Sequence, residues 1–382
     1  MRFEFATAGR IVFGPGTIRE LPGIAAAFGK RAMVITGRDR IRRAGIVADL
    51  EGAGFNCSLF GVSNEPTVDL VREGAGMLRA AGSSVVIAIG GGSAIDAGKA
   101  IAAIAANPGD VLDYLEVVGQ GKPLPAAPVP FIAVPTTAGT GSEVTRNAVL
   151  GSPEHRVKAS LRSPAMLPRV ALIDPELTLG LPPAVTASTG LDALTQLIEP
   201  YVSGRANPLT DAFCIDGLRR AARSLARAFA DGRDAEARAS MSYASVLGGL
   251  ALANAGLGVV HGFAAPIGGM FDAPHGAVCA AILPHGMAAN IKALRARAPE
   301  SPALARYEEI ARVVTGDADA TCEDGVAWVS ALVSELGIPP LRAYGVTDVA
   351  NVVEKASRAS SMKANPIPLN AEELTEALTS AI

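Results

Sequence analysis

The period of apolar and polar positions changes near the middle of the chain. Up to about residue 180, short apolar runs alternate with amphipathic segments. Arg31–Thr36, Cys57–Val62, Val85–Ile89, Phe131–Pro135 and Val170–Asp174 read as strands, and the most apolar of them read as buried on both faces. Thr17–Phe28, Val68–Ala81 and a segment beginning near Ser93 carry helical spacing. Strands alternating with helices predict a parallel sheet with helices on both sides. The N-terminal stretch Phe3–Phe13 alternates as one or two strands, turned at Ala8-Gly9-Arg10 and stopped at Gly14-Pro15-Gly16. A proline-rich connection, Lys122–Pro130, precedes the strand at Phe131, and Lys158 and Arg162 flank a strand or turn. From Pro182-Pro183 onward the spacing is almost wholly helical, as in Asp211–Phe229 and Ala235–Leu252. The expected organisation is an α/β domain over residues 1–180 and an all-helical domain over residues 181–382.

The central strand opens into Gly90-Gly91-Gly92-Ser93 and then a helix with Asp96 and Lys99. Strand, glycine turn and helix form a phosphate-binding geometry, because glycine admits a close approach and free N–H groups at the helix start face an anion. Ser93 would cap that helix or donate to a phosphate. A glycine run alone also fits a plain tight turn; the strand before it and Asp96 and Lys99 after it favour ligand binding. The strand at Phe131 leads into PTTAGTGSEVT, Pro135–Thr145, rich in hydroxyls and glycine at the carboxyl end of a strand, where ligands of open α/β sheets sit. Ser142, Glu143 and Thr145 also fit a capped helix start.

In the helical half, Thr189-Gly190-Leu191-Asp192 reads as a helix opening. Asp192, Gln196 and Glu199, four and three residues apart, share one face of it. Much later comes HGFAAPIGGMFDAPHG, with His261, and with His275 at a helix start between Pro274 and Gly276. A single histidine is most often structural. Here an aspartate and two imidazoles form a plausible ligand set for Fe2+ or Zn2+. His285, after Leu283-Pro284, reads as structural and His155 as solvated.

Composition narrows the function. The chain has 382 residues and a net charge of −3, so no basic surface argues for nucleic acid or an anionic membrane. Apolar residues reach 49%, yet no run approaches the ~20 uninterrupted apolar residues of a membrane span. The N-terminus shows no signal-peptide core. The four cysteines, Cys57, Cys214, Cys279 and Cys322, are widely spaced, which predicts reduced thiols in the cytoplasm.

GGGSAIDAGKA, PTTAGTGSEVT, TGLDALTQLIEPYVS and HGFAAPIGGMFDAPHG, in this order and at these intervals, resemble the iron-containing alcohol dehydrogenase family along essentially the whole chain. The resemblance implies a dinucleotide-binding domain, an all-helical metal-binding domain (the dehydroquinate synthase-like architecture) and a cleft between them. It implies a homodimer that interconverts alcohols and aldehydes or ketones with NAD(H) or NADP(H). Carried over by residue, Gly90, Gly91, Gly92, Ser93 and Asp96 contact the pyrophosphate. Thr136, Thr137 and Thr140 line the nicotinamide and phosphate side, and Lys158 meets a ribose. The family's metal ligands, an aspartate and three histidines, fall on Asp192, Gln196, His261 and His275.

Three departures matter. Gln196 replaces an imidazole with a neutral, weaker amide donor. Ala265 stands where many members have a pocket histidine, so a proton relay at that position is absent. Gly37 follows the second strand where NAD-preferring members carry an acidic residue, and Arg38 or Arg40 would pair with a 2′-phosphate, which favours NADP(H) over NAD(H). Asp39 argues the other way if it points inward. The expected function is hydride transfer between NAD(P)(H) and a small alcohol, aldehyde or ketone, with the metal as Lewis acid. Alternatives are a metal-free reductase of an oxo-acid like maleylacetate reductase, with His261 and His275 as polar catalysts, a dehydroquinate synthase-like lyase, and a nucleotide-binding protein without turnover.

Overall fold

The computed structural model describes residues 2–37, 40–155, 157–271 and 273–382, and for residues 40–43 the backbone alone. The chain divides into two compact units. One comprises Ala6–Thr137 and Gly141–Thr178; the other comprises Met1–Phe5, Ala138–Thr140 and Leu179–Ile382.

The first unit is built on six parallel strands: β1 (Ile11–Phe13), β2 (Arg31–Thr36), β3 (Asn56–Gly61), β4 (Val85–Gly90), β5 (Phe131–Pro135) and β8 (Val170–Ile173), in the order β1-β8-β5-β4-β2-β3. Every residue of β4 is buried. Val86 and Ala88 pack to one face with α3 (Val68–Ala81) and α4 (Gly92–Ala106). Val85, Ile87 and Ile89 pack to the other, with α1 (Leu21–Ala26) and α2 (Arg40–Gly52). This is why its sequence runs apolar without alternation. The chain runs outward from β2 to β3 and returns on the other side of β2 as β4. The sheet therefore reverses direction between β2 and β4, and a ligand crevice is expected at their carboxyl ends.

Several elements depart from expectation. Among the described residues the N-terminal strand is only Ile11–Phe13, an edge strand beside β8. Phe5 instead packs 5.8 Å from Phe213 in the helical unit, so aromatic burial overrides the alternating pattern. Asn147–Ser152 (β6) and Val157–Arg162 (β7) form a separate antiparallel hairpin. Thr17–Glu20 is a 3-10 turn ahead of α1, and the short helix Val111–Tyr114 (α5) follows α4.

The second unit is helical: α6 (Pro183–Val202), α7 (Pro208–Ala230), α8 (Ala235–Ala255), α9 (Val259–Met270), α10 (His275–Arg297), α11 (Pro302–Thr315), α12 (Cys322–Glu335), α13 (Val349–Ser357) and α14 (Ala371–Ala381). Helix α6 starts at Pro183, not at Thr189. Proline at the first helical position has its φ preset and loses no helical hydrogen bond there. Helix α10 is long and apolar enough to cross a membrane, but most of it is buried against its own unit, as in a core helix.

Candidate active site

In the α/β unit, the glycine turn joins β4 to α4 at the predicted crevice. Gly91 is the N-cap of α4 and no side chain caps the helix, so Ser93 is a first-turn residue and not the cap. The backbone crowds closely here. A Cβ on Gly90 would lie 2.6 Å from the Ala94 Cβ and 3.4 Å from the Gly37 nitrogen, and one on Gly91 would lie 3.3 Å from the Thr137 Oγ1. Gly37, Gly90, Gly91 and Thr137 are thus immediate neighbours, and Thr136 donates its N–H to the Gly90 carbonyl at 2.9 Å. The helix start presents its dipole and first-turn N–H groups without a side-chain competitor, the arrangement an anionic pyrophosphate needs. Thr140 groups with the helical unit. Arg38 and Asp39 lie outside the described residues, as does the side chain of Arg40.

Asp96 and Lys99 are placed differently from the sequence expectation. The Asp96 carboxylate accepts from the Ser142 hydroxyl and, at 2.9 Å, from the Val149 N–H. Lys99 is fully buried and donates to the Ser142 carbonyl at 2.9 Å, the Thr145 Oγ1 at 3.0 Å and the Asn147 carbonyl. Both side chains tie α4 to the loop after β5 and to the hairpin. A carboxylate so engaged positions that loop. In the loop itself Gly141 is left-handed and uncapped, and Ser142–Val144 is a 3-10 turn, not a capped helix start. Lys158 pairs with Glu65. His155 is exposed and bonded to the Ser152 hydroxyl at 2.7 Å.

In the helical unit, α6, α9 and α10 bring the predicted polar residues together. Asp192 and Gln196, 1% and 2% exposed, lie one turn apart on α6, with Glu199 a turn further. The Glu199 carboxylate accepts from the Val260 N–H at 2.7 Å, at the start of α9, and faces the His261 Nδ1 at 2.7 Å. A carboxylate there holds Nδ1 as a donor, so Nε2 is the ring atom that faces Asp192, 3.3 Å away. His275 is the first residue of α10, and its Nε2 lies 3.7 Å from the same Asp192 oxygen. The next residue is glycine because α10 meets α6 there: a Cβ on Gly276 would lie 2.3 Å from the Ser188 carbonyl oxygen. The two imidazole rings are 5.5 Å apart.

Two residues that the sequence reading passed over belong to this cluster. Glu199, noted only as a face-sharing acid, orients His261. Cys279, one turn after His275 on α10, has its sulfur 3.7 Å from the His275 Nε2. The H-x-x-x-C spacing on a helix is the signal that would have found it. Burial opposes the charged form of His261 and His275, yet Cys279 and Asp192, with Glu199 beside His261, raise both imidazoles above their ordinary value. Burial also opposes ionisation of Asp192, and the two imidazoles outweigh it and lower its pKa. Ala265 lies on α9, one turn after His261.

Comparison with known proteins places both parts of the chain in one family. The family model for iron-containing alcohol dehydrogenase matches residues 8–175, and that for the family's C-terminal domain matches residues 186–382. The chain is 37% identical over 382 residues to 1,3-propanediol dehydrogenase of Klebsiella pneumoniae, covering 97% of each chain. It is 37% identical over 377 residues to alcohol dehydrogenase 4 of Saccharomyces cerevisiae (strain YJM789), covering 97% of this chain and 96% of the relative. The crystal structure of sulfoacetaldehyde reductase from Bifidobacterium kashiwanohense in complex with NAD+ superposes with a TM-score of 0.87 at 30% identity, covering 100% of this chain and 99% of that one. The chain belongs to the iron-containing alcohol dehydrogenase family, and its chemistry is alcohol and aldehyde oxidoreduction.

Proposed function

We propose that this chain interconverts a small alcohol and its aldehyde or ketone by hydride transfer with NAD(P)(H), and that Asp192, His261 and His275, with Gln196 beside them, hold one divalent metal. The observation that carries the metal reading is a set of orphaned atoms. The Asp192 Oδ1, Gln196 Oε1 and His261 Nε2 are buried and none makes a hydrogen bond of good geometry among the described residues, the Asp192 and His261 atoms facing each other at 3.3 Å. Each orphan costs on the order of 1–3 kcal/mol, and a cation among them removes that cost. The residues present therefore fit a metal. When bound, it supplies Lewis-acid polarisation of a carbonyl oxygen and stabilisation of an alkoxide.

The chain's own residues do the positioning. Glu199 holds the His261 tautomer, and the α4 N-terminus with Gly90, Gly91, Gly92 and Ser93 receives the pyrophosphate. Thr136, Thr137 and Thr140 line the cofactor's nicotinamide side. The cofactor carries the hydride. Ala265 supplies no proton-relay group. The metal-free oxo-acid reading draws only on Gln196, and the orphaned Asp192 and His261 atoms weigh against it.

For the cofactor we propose NADP(H) over NAD(H), on the ground that Gly37 puts no carboxylate after β2 to repel a 2′-phosphate. The test is oxidation of NADPH and of NADH with a panel of short aldehydes and ketones, including the hydroxyaldehyde that corresponds to 1,3-propanediol. Turnover with a higher kcat/KM for NADPH supports the reading. A higher value for NADH overturns the cofactor preference, and no turnover with any carbonyl overturns the reaction.

A further inference from the structure

Four side chains of the helical unit converge: Asp192 from α6, His261 from α9, and His275 and Cys279 from α10, with one donor atom of each within 4.8 Å of the others. We propose that the Cys279 thiolate is itself a ligand of the divalent metal, giving an Asp192, His261, His275 and Cys279 donor set that selects Zn2+ over Fe2+. The proposal rests on the metal reading above and adds the fourth donor and the metal it favours.

The spacing approaches that of a coordination shell. Tetrahedral zinc donors at about 2.0 Å for N and O and about 2.3 Å for S stand roughly 3.3–3.6 Å from one another. The separations here are 3.3 Å from His261 to Asp192, 3.7 Å from His275 to Asp192 and 3.7 Å from Cys279 to His275. Two of these donor atoms, the Asp192 Oδ1 and the His261 Nε2, are buried and make no hydrogen bond of good geometry among the described residues. Gln196 is the competing fourth donor, since its Oε1 is also buried and unpaired. Donor strength favours Cys279, since an anionic thiolate binds a divalent ion more strongly than a neutral amide oxygen. Asp192 and Cys279 are 1% and 0% exposed. The thiol proton passes to solvent as the metal binds, and no electron moves. A thiolate among imidazole and carboxylate donors shifts the preference from iron to zinc, because softer ligands suit Zn2+.

Cobalt(II) reports the thiolate directly. Metal-free full-length protein is titrated with Co2+ and its absorbance followed, in the wild type, in Cys279→Ser and in Gln196→Ala, with circular dichroism checking that each is folded. The expected result is a near-ultraviolet thiolate-to-cobalt charge-transfer band in the wild type and Gln196→Ala. Cys279→Ser binds Co2+ without the band, and its Zn2+ affinity, by competition with a chromophoric chelator, falls at least about tenfold. X-ray absorption of the zinc-loaded wild type then shows one sulfur neighbour at about 2.3 Å and needs no variant. Cobalt uptake without the band, or a zinc shell of nitrogen and oxygen alone, overturns the thiolate ligand and leaves the metal reading standing. No metal uptake by the wild type overturns both.

Discussion

A carboxylate that ligates nothing sets the geometry of His261. Glu199 accepts the Val260 N–H and faces the His261 Nδ1, so removing it frees both the ring and the first turn of α9. Glu199→Ala is expected to weaken metal affinity by roughly 10–100-fold, as for other groups that orient a ligand. A chelator-competition titration checks this, and unchanged affinity contradicts the orienting role. A second residue ties stability to pH. Glu143 is buried, and burial raises its pKa from 4.5 to about 7 despite the opposing pull of Lys99. Between pH 4.5 and 7 the unfolded chain ionises this carboxyl while the folded one keeps it protonated. Stability therefore falls as pH rises through that window, by on the order of 3 kcal/mol for a shift of this size. Glu143→Gln removes that component: the urea midpoint of the variant falls less than that of the wild type between pH 5 and 7.5. Equal pH dependence in the two proteins refutes it. At this scale the sequence reveals residue types better than partners. Asp192, His261 and His275 are legible because their types and positions match a ligand pattern. The commitment of Asp96 and Lys99 to a distant hairpin is not, because it depends on where Ser142, Asn147 and Val149 return in space.

The element proposed to receive the cofactor is the start of α4. Its first-turn N–H groups face no capping side chain, and Gly90 and Gly91 let the turn lie against Gly37 and Thr137. Gly91→Val places a branched side chain against the Thr137 side chain, in the space the pyrophosphate would use. It is expected to weaken NAD(P)H binding by at least about tenfold, the loss of roughly 1.4 kcal/mol, with metal content unchanged. Fluorescence titration with NADPH, beside elemental analysis of the same sample, tests this. Wild-type affinity in the variant removes the glycine turn from the binding site. Buried strands and a strongly amphipathic helix are readable from pattern alone: Arg31–Thr36, Val68–Ala81 and Phe131–Pro135 end where periodicity puts them. Of the β6–β7 hairpin only the segment flanked by Lys158 and Arg162 is legible, because in β6 a buried Ser152 and an exposed Val149 blur the alternation of apolar and polar positions. The α6 start was misplaced because its first turn, Pro183-Ala184-Val185-Thr186, carries little helical periodicity of its own.

On the proposed reading each unit carries half of the chemistry, the nucleotide cradle in one and the metal-ligand cluster in the other. A ligand that binds only the native state stabilises it, by about 2.7 kcal/mol at a hundredfold excess over Kd. Metal removal is therefore expected to lower the melting temperature, and returning the metal to restore it; a melting curve indifferent to chelation argues against a metal tied to α6, α9 and α10. The change of period near Pro182-Pro183 made the two architectures readable in the chain, because sheet and helix bundle bury their residues with different spacing. The most direct test of the whole account is elemental analysis of freshly purified, tag-free protein, with NAD(P)H-dependent aldehyde reduction assayed before chelation, after it and after metal return. The account expects about one equivalent of divalent metal per chain, the stoichiometry of a single four-donor site, with turnover lost on chelation and regained with metal. No metal together with undiminished turnover would contradict it, and would leave His261 and His275 as polar catalysts.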